Sequence, residues 1–209
     1  MNRRHFIATV SLAALLTACG TDTQLPAIPR GATVLAFGDS VTFGTGAAEG
    51  EDWPTLLAAK TGWEIINAGI PGDTAEAGKA RIAPLLDEHR PALVIVEIGG
   101  NDFIRRRSQA AVKEDLRHIL RTVNQAGAQA VLVAVPELSL LGVVAGRPSD
   151  APLYEALAAE EGVPLIGDVF ADVLAQPELC ADRIHPNARG YERMAAGVHA
   201  ALQAMGLAR

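Results

Sequence analysis

The sequence is poor in aromatic residues, in cysteine and in positive charge, and each shortage excludes something. Aromatic residues make up 4% of the 209 positions although 49% are hydrophobic, so the core must be mostly aliphatic. The formal net charge of −6 argues against a nucleic-acid interface, which needs a basic face. The chain has only two cysteines, Cys19 and Cys180. If Cys19 is modified as described below, Cys180 has no partner and no disulfide framework is expected.

The first nineteen residues have the pattern of an export signal. Arg3, Arg4 and His5 form a basic region, and an apolar stretch follows over residues 6–16. A helix that spans a bilayer needs roughly 20 apolar residues, and this stretch is shorter. Residues 1–19 are therefore predicted to be a signal peptide.

The leader ends in Leu16-Thr-Ala-Cys19, which resembles the lipobox of bacterial lipoproteins. On that resemblance, Cys19 is acylated, becomes the mature N-terminus and anchors the chain to a membrane of the bacterial cell envelope, facing the periplasm or the cell exterior. Residues 2–7 also resemble a twin-arginine signal, so both Sec and Tat export stay open. The alternative is an ordinary cleaved signal in which the cysteine occurs by chance. Residues 20–30 are predicted to be a tether, and residues 31–209 the folded domain.

From Gly31 onward, short apolar runs alternate with amphipathic segments. Runs rich in β-branched residues predict five strands, at residues 33–37, 64–67, 92–98, 130–135 and 164–166. Apolar residues at helical spacing predict helices between them, including residues 74–89, which Pro84 should kink or split. Alternating strands and helices predict an α/β domain with a parallel sheet between two helix layers.

A serine and an acid–histidine pair carry the chemistry. Ser40 lies in Gly38-Asp-Ser-Val41, directly after the first predicted strand, and Asp182 and His185 are three positions apart near the C-terminus. A hydroxyl becomes a nucleophile when a histidine takes its proton, and a carboxylate holds that histidine in the right tautomer. Taken alone, Ser40 could instead cap a helix. Asp182 and His185 could contribute to a metal site, but no second ligand pair with metal-like spacing accompanies them.

Two glycine-rich turns follow the second and third predicted strands. The first contains Gly72, whose turn can aim backbone N–H groups inward, and the second contains Asn101, whose amide is a hydrogen-bond donor. Such donors can stabilise an oxyanion. Each segment could also be a plain turn, since Gly, Asn and Asp are the commonest turn residues. Ser40, Gly72 and Asn101 each follow a predicted strand, so they are expected to share one edge of the sheet. Ligands bind at that edge in such folds.

Together these segments resemble the GDSL, or SGNH, hydrolases, and within them the bacterial thioesterases, lysophospholipases and arylesterases. The resemblance covers nearly all of residues 31–209, although Val41 stands where the family motif has leucine. It implies a three-layer α/β/α, flavodoxin-like fold with a five-stranded parallel sheet. It implies no cofactor and no metal.

The same resemblance assigns roles to the site residues. It implies that Ser40 is the nucleophile, His185 the base and Asp182 the carboxylate that orients the base. The backbone N–H groups of Ser40 and Gly72 and the side-chain amide of Asn101 would form the oxyanion hole.

The resemblance implies a serine esterase that hydrolyses carboxylic esters through an acyl-enzyme. Lysophospholipids, aryl or alkyl esters and acyl thioesters are the expected substrates, with no nucleic-acid or protein partner implied. A carbohydrate O-deacetylase and a non-catalytic lipoprotein that binds acylated ligands are the alternatives, and the complete constellation counts against the second. Arg105–Arg107 form a run that is expected to be solvated; the alternative is that it attracts a lysophospholipid phosphate.

Overall fold

A computed structural model of the chain describes residues 25–137 and 148–209. The strands are β1 (Thr33–Gly38), β2 (Glu64–Gly69), β3 (Leu93–Glu97), β4 (Gln129–Val133) and β5 (Leu165–Ile166). The helices of the described residues are α1 (Ser40–Phe43), α2 (Trp53–Thr61), α3 (Ala75–His89), α4 (Gly100–Ile104), α5 (Gln109–Gln125), α6 (Pro152–Glu161), α7 (Val169–Leu174) and α8 (Ala188–Ala204). The predicted leader and the loop at residues 138–147 lie outside the described residues.

The five strands form one parallel sheet in the order β2-β1-β3-β4-β5. The central strands β1 and β3 are buried almost throughout, which explains why their sequences lack a polar–apolar alternation. The chain order reverses between β1 and β3, so a crevice opens beyond their carboxyl ends. The predicted α/β class and five-stranded parallel sheet are confirmed.

Helices cover both faces of the sheet. On one face α3 packs against α5 and α5 against α6, and on the other α8 packs against α2 and α7. From β1 the chain moves to β2 on one side and later to β3, β4 and β5 on the other. Because crossovers between parallel strands are right-handed, these two directions place the connecting helices on opposite faces of the sheet. In the two described stretches, no helix is long and apolar enough to cross a membrane.

The domain begins earlier than predicted. Residues 25–30 were expected to be the second half of a tether, but they pack against the domain. Ile28 is buried, its N–H donates to the carbonyl of Leu207, and its own carbonyl accepts from the indole of Trp63. The prolines in this segment are typical of a tether, and the sequence pattern did not show that Ile28 is buried. Any free tether therefore ends before Leu25.

Of the two predicted effects of Pro84, a kink or a split, the split does not occur. Helix α3 runs from Ala75 to His89 with Pro84 inside it. A proline removes one backbone hydrogen bond, but Pro84 is exposed, so water can solvate the freed carbonyl. The buried side chains of Ile82 and Leu86 hold both halves of the helix against the sheet.

Candidate active site

Ser40 is the first residue of α1, directly after the end of β1. The carboxylate of Asp39 accepts a hydrogen bond from the N–H of Val41 at 3.1 Å and so caps this short helix. A Cβ atom at position 38 would lie 2.0 Å from Oγ1 of Thr42. Glycine is therefore required where β1 ends, and it lets α1 start close against the sheet.

The loop before α8 brings His185 to Ser40 from the other end of the chain. Asn187 caps α8 by accepting from the N–H of Gly190 at 3.0 Å. Tyr191, in the first turn of α8, donates its hydroxyl to the carbonyl of Thr45 at 2.7 Å. These contacts fix the start of α8 next to the loop that follows α1.

The structure brings Ser40, His185 and Asp182 together as a hydrogen-bonded chain. Nε2 of His185 lies 2.9 Å from Oγ of Ser40, and Nδ1 lies 2.8 Å from Oδ2 of Asp182. Both distances are within the range in which a base can take a proton and a carboxylate can orient it. A hydrogen on Nδ1 that is donated to Asp182 leaves the Nε2 lone pair facing the serine hydroxyl.

Asp182 lies on the solvent side of this chain, with 55% of its side chain exposed. Its Oδ1 accepts from the backbone N–H groups of Ile184 at 2.8 Å and His185 at 2.9 Å. Partial desolvation opposes ionisation, but the hydrogen bonds from the imidazole and the two amides hold the pKa of Asp182 below its ordinary value. The carboxylate is therefore ionised at neutral pH.

The predicted oxyanion donors lie on neighbouring turns. Nδ2 of Asn101 in α4 donates to the carbonyl of Asp73 at 2.9 Å and reaches Oδ2 of Asp39 at 3.3 Å. Gly72, next to Asp73, has φ +81° and open space beside its Cα, so the turn needs glycine and leaves room for a ligand. In the described part of the chain, no carbonyl accepts from the backbone N–H of Ser40 or of Gly72.

Two buried carboxyl groups lie behind Ser40, and sequence reasoning gave neither a role. Asp39 is 3% exposed, and burial raises its pKa to about 6, although the N–H of Val41 lowers it again in part. Glu97, at the end of β3, is fully buried; burial, followed by the charge of Asp39, raises its pKa well above the ordinary value. Its Oε2 accepts from the hydroxyl of Thr42 at 2.7 Å, while Oε1 has no hydrogen-bond partner among the described residues.

Arg81 of α3 is a second residue that the sequence did not single out. Its guanidinium donates to the carbonyl of Gly38 at 2.6 Å and to that of Ala68 at 2.8 Å, and its Nε contacts Asp73 at 2.6 Å. It also lies 4.0 Å over the ring of Phe37. One side chain therefore ties the ends of β1 and β2 to the turn that carries Gly72.

The arginine run after α4 is not uniformly solvated. Arg107 contacts the buried carboxylate of Asp102 at 2.6 Å and that of Asp115 at 2.8 Å, so it fastens α4 to α5. The prediction of a solvated run is wrong for Arg107. Arg105 and Arg106 are exposed, and Arg105 donates to the carbonyl of Gly72 at 3.0 Å.

An open cavity adjoins Ser40 and His185. The carboxyl-bearing residues Asp39 and Glu97 line it together with apolar side chains, which are Val41, Ile104, Val135, Phe170 and Ile184. The cavity is therefore largely apolar apart from the groups that surround the serine.

Three large apolar side chains are exposed at the edge of the sheet where Ser40 lies. Phe43 is 54%, Ile70 49% and Ile104 50% exposed. Phe43 ends α1 and lies against Gly69 at the end of β2, directly before Ile70. Ile104 lines the cavity itself. We call Phe43, Ile70 and Ile104 the apolar rim.

The sequence and the fold of the chain are similar to those of known proteins. Residues 36–193 match the model of the GDSL-like Lipase/Acylhydrolase family. The chain is 36% identical over 162 residues to the thioesterase 1/protease 1/lysophospholipase L1 of Escherichia coli. The aligned residues cover 74% of this chain and 76% of that protein. It is 30% identical over 190 residues to the esterase TesA of Pseudomonas aeruginosa, covering 87% and 93% of the two chains.

A crystal structure of TesA superimposes with a TM-score of 0.73 at 30% identity. The match covers 83% of this chain and 99% of that one. The similarity therefore extends over nearly the whole of the described fold.

Proposed function

Because this chain belongs to the GDSL-like lipase/acylhydrolase family and is a serine esterase, we propose that Ser40, His185 and Asp182 are its catalytic triad. The observation that carries the proposal is the pair of hydrogen bonds that join the three side chains, 2.9 Å from Ser40 to His185 and 2.8 Å from His185 to Asp182.

In this mechanism His185 acts twice. Nε2 takes the proton of Ser40 as Oγ attacks the ester carbonyl, and the resulting imidazolium is stabilised by Asp182. The tetrahedral intermediate collapses, the bond to the leaving alcohol breaks, and Nε2 returns the proton to that alcohol. A water molecule, deprotonated by the same nitrogen, then attacks the acyl-enzyme and releases the carboxylic acid and free Ser40.

The negative oxygen of the intermediate would be bound by three donors. Among the described residues, no carbonyl accepts a hydrogen bond from the N–H of Ser40 or of Gly72. Both groups could therefore donate to the oxyanion. The third donor is Nδ2 of Asn101, whose short bond to Asp73 uses one hydrogen and fixes the amide plane. Its second hydrogen makes only the long 3.3 Å contact with Asp39 and is the one available to the oxyanion.

The surroundings of the site favour esters with apolar acyl or aryl groups. The apolar rim and the apolar cavity lining would bury such groups and gain roughly 25 cal/mol per Å² of apolar surface removed from water. We therefore propose substrates of the kinds named in the relatives, namely lysophospholipids, aryl esters and acyl thioesters. A carbohydrate O-deacetylase would place sugar hydroxyls against this apolar rim, and no contact among the described residues of the site favours that activity.

We further propose that the mature protein is a lipoprotein of the bacterial cell envelope. The support is the sequence of the leader, with its basic start, its apolar stretch and its lipobox-like end at Cys19. Acylation of Cys19 would supply enough apolar surface for stable anchoring. Mass analysis of the mature N-terminus tests this part separately from the chemistry.

The test of the triad is the Ser40→Ala variant. Hydrolysis of p-nitrophenyl esters should fall by about 10⁶-fold, because the variant lacks the hydroxyl that forms the acyl-enzyme in the proposed mechanism. A fluorophosphonate probe should label Ser40 in the wild type, as read by peptide mass analysis. Ser108→Ala is the matched control: it removes a helix cap far along the chain, costs about 1 kcal/mol of stability and should leave the hydrolysis rate unchanged. Full activity in Ser40→Ala, or labelling of another residue, would refute the assignment.

A further inference from the structure

The described chain starts at the edge of the sheet where the strands begin. The side chain of Gln129, the first residue of β4, donates to the carbonyl of Pro26 at 2.9 Å. Ile28 hydrogen-bonds to Leu207, just beyond the end of α8. Since α8 starts near His185 and runs back across the sheet, its far end lies at that same edge. The segment that leads back to Cys19 therefore leaves the domain there.

The active site lies at the opposite edge. Ser40 follows β1, Gly72 follows β2 and Asn101 follows β3, so all three lie beyond the carboxyl ends of parallel strands. A strand of six residues is about 20 Å long at ~3.3 Å per residue. The sheet alone thus separates the emerging N-terminal segment from the catalytic serine by about that distance.

We infer that the active site faces away from the membrane to which Cys19 would anchor the chain, and that it takes esters that reach it through water rather than lipids of the anchoring leaflet. The inference rests on the lipid anchor and on the esterase activity proposed above. It narrows the substrate class to esters that dissolve as monomers or micelles, or that leave their bilayer before they are bound.

The length of the tether carries this conclusion. Leu25, which packs against the core, follows Cys19 by six positions. A fully extended chain spans at most ~3.6 Å per residue, so this segment reaches about 22 Å. A domain of roughly 185 residues has a radius of gyration of about 16 Å and is about 40 Å across.

These lengths exclude contact between the mouth of the site and the anchoring bilayer. To place the apolar rim on that bilayer, the domain would have to turn over, and the tether would have to span about 40 Å, nearly twice its reach. With the domain lying on its side, the centre of the mouth would still be about half a domain width, roughly 20 Å, above the lipid surface. The exposed Phe43, Ile70 and Ile104 therefore meet substrate on the aqueous side.

The experiment lengthens the tether. About 30 Gly and Ser residues are inserted between Asp22 and Thr23 of the full chain, which adds roughly 30 Å of root-mean-square reach. Lipidated wild type and variant are reconstituted in phosphatidylcholine vesicles. Each is assayed on p-nitrophenyl acetate in the water phase and on the longest p-nitrophenyl ester that the wild type cleaves in detergent, here embedded in the vesicles. We expect lengthening to raise hydrolysis of the embedded ester at least about tenfold and to leave acetate hydrolysis unchanged.

The controls separate this inference from the two proposals beneath it. The same insertion in a Cys19→Ser chain should have no effect on either ester, because that chain has no anchor to restrict it. Equal hydrolysis of the embedded ester by wild type and variant, fast or slow, overturns the inference. A mature N-terminus without lipid on Cys19 also overturns it, since the anchor is its premise. Failure of every variant to cleave p-nitrophenyl acetate would instead refute the esterase proposal.

Discussion

Two carboxylates flank the Ser40–His185 pair, and their surroundings are opposite. Asp182 has 55% of its side chain in solvent and accepts hydrogen bonds from the imidazole and from two amides, so its pKa is lowered. Asp39 is 3% exposed and lies beside a second carboxyl group, Glu97, so burial raises its pKa to about 6. Water screens charge near Asp182 but not near Asp39.

From this difference we expect the charge of Asp39 to assist the reaction and not to stabilise the fold. Keeping a group ionised at pH 7 when its pKa has risen from 3.8 to about 6 costs about 3 kcal/mol of folding stability. As a helix cap alone, asparagine would serve as well as aspartate and would avoid that loss. A buried negative charge near His185 does, however, favour the imidazolium that forms during the reaction. The oxygen of Asp39 nearest Asn101 also helps to align the amide.

Among the substitutions of the three carboxyl groups, Asp39→Asn should have the largest effect on turnover. The new amide would face Nδ2 of Asn101 donor to donor, and the charge near His185 would be lost. Misalignment of one oxyanion donor costs about 10² in kcat, and the lost charge adds roughly tenfold, so kcat should fall about 10³-fold with little change in KM. Asn101→Ala, which removes the donor alone, is the reference and should lose about 10². A loss in Asp39→Asn no greater than tenfold would show that Asp39 only caps α1.

The same substitution should make the protein more stable at neutral pH. The folded-state pKa of Asp39 lies above its ordinary 3.8, so the folded state binds more protons between pH 4 and 6 and stability falls as the pH rises through that window. Asp39→Asn removes this loss of about 3 kcal/mol and mispairs one amide at about 1 kcal/mol. Urea unfolding should therefore show a gain of about 2 kcal/mol at pH 7 and none at pH 4. A loss of stability at pH 7 would contradict the buried-charge interpretation.

Asp182→Asn should have a smaller effect on activity and the opposite effect on stability. The exposed loop and water can offer His185 another acceptor, so kcat should fall only about tenfold, and a high salt concentration should shrink that deficit. Because the pKa of Asp182 is lowered, the wild type gains stability above the ordinary pKa and loses it as the pH falls through the folded-state value. The variant should therefore unfold at a lower urea concentration at pH 7, and its deficit should shrink as the pH falls below the ordinary pKa of aspartate. A kcat loss larger than that of Asp39→Asn would reverse the comparison.

The sequence could predict the strands, the turns that follow them and the pairing of Asp182 with His185, because each of these depends on residues that are close together in the chain. The β-branched runs mark all five strands, and the turn residues that follow them mark Ser40, Gly72 and Asn101 at one edge. Asp182 and His185 are three positions apart, so their pairing needed no knowledge of the fold. The elements that the pattern placed correctly are those in which neighbouring residues decide the structure.

The buried polar contacts behind Ser40 could not be predicted, because they depend on packing between segments that are distant in the chain. Asp39 and Glu97 meet only because β1 pairs with β3. Arg81 lies in an amphipathic helix where an arginine normally faces water, yet it reaches the carbonyls at the ends of two strands. Ile28 was concealed in the same way by the prolines around it. A periodic pattern reports which face of an element is apolar, and it does not report what a long side chain on the rim of that face will contact.

The smallest effect should come from Glu97→Gln, which tests whether the deeper carboxyl group is neutral. Burial and the charge of Asp39 raise its pKa well above the ordinary value, and its protonated form has nearly the same shape as glutamine. The amide can still pair with the hydroxyl of Thr42. We expect kcat within about twofold of the wild type at pH 7.

The pH dependence of the stability of Glu97→Gln gives a second measurement of the same property. The raised pKa of Glu97 determines whether the stability of the wild type rises or falls with pH. The wild type should lose stability as the pH rises toward the folded-state pKa of Glu97, and the glutamine variant should not. Glu97→Leu is the matched control: it leaves the hydroxyl of Thr42 buried without its acceptor and should be about 1–3 kcal/mol less stable than Glu97→Gln at every pH. A tenfold fall in kcat for Glu97→Gln, with the fold intact by circular dichroism, would mean that Glu97 is ionised at pH 7. The negative charge behind Ser40 would then be shared by two carboxylates instead of residing on Asp39 alone.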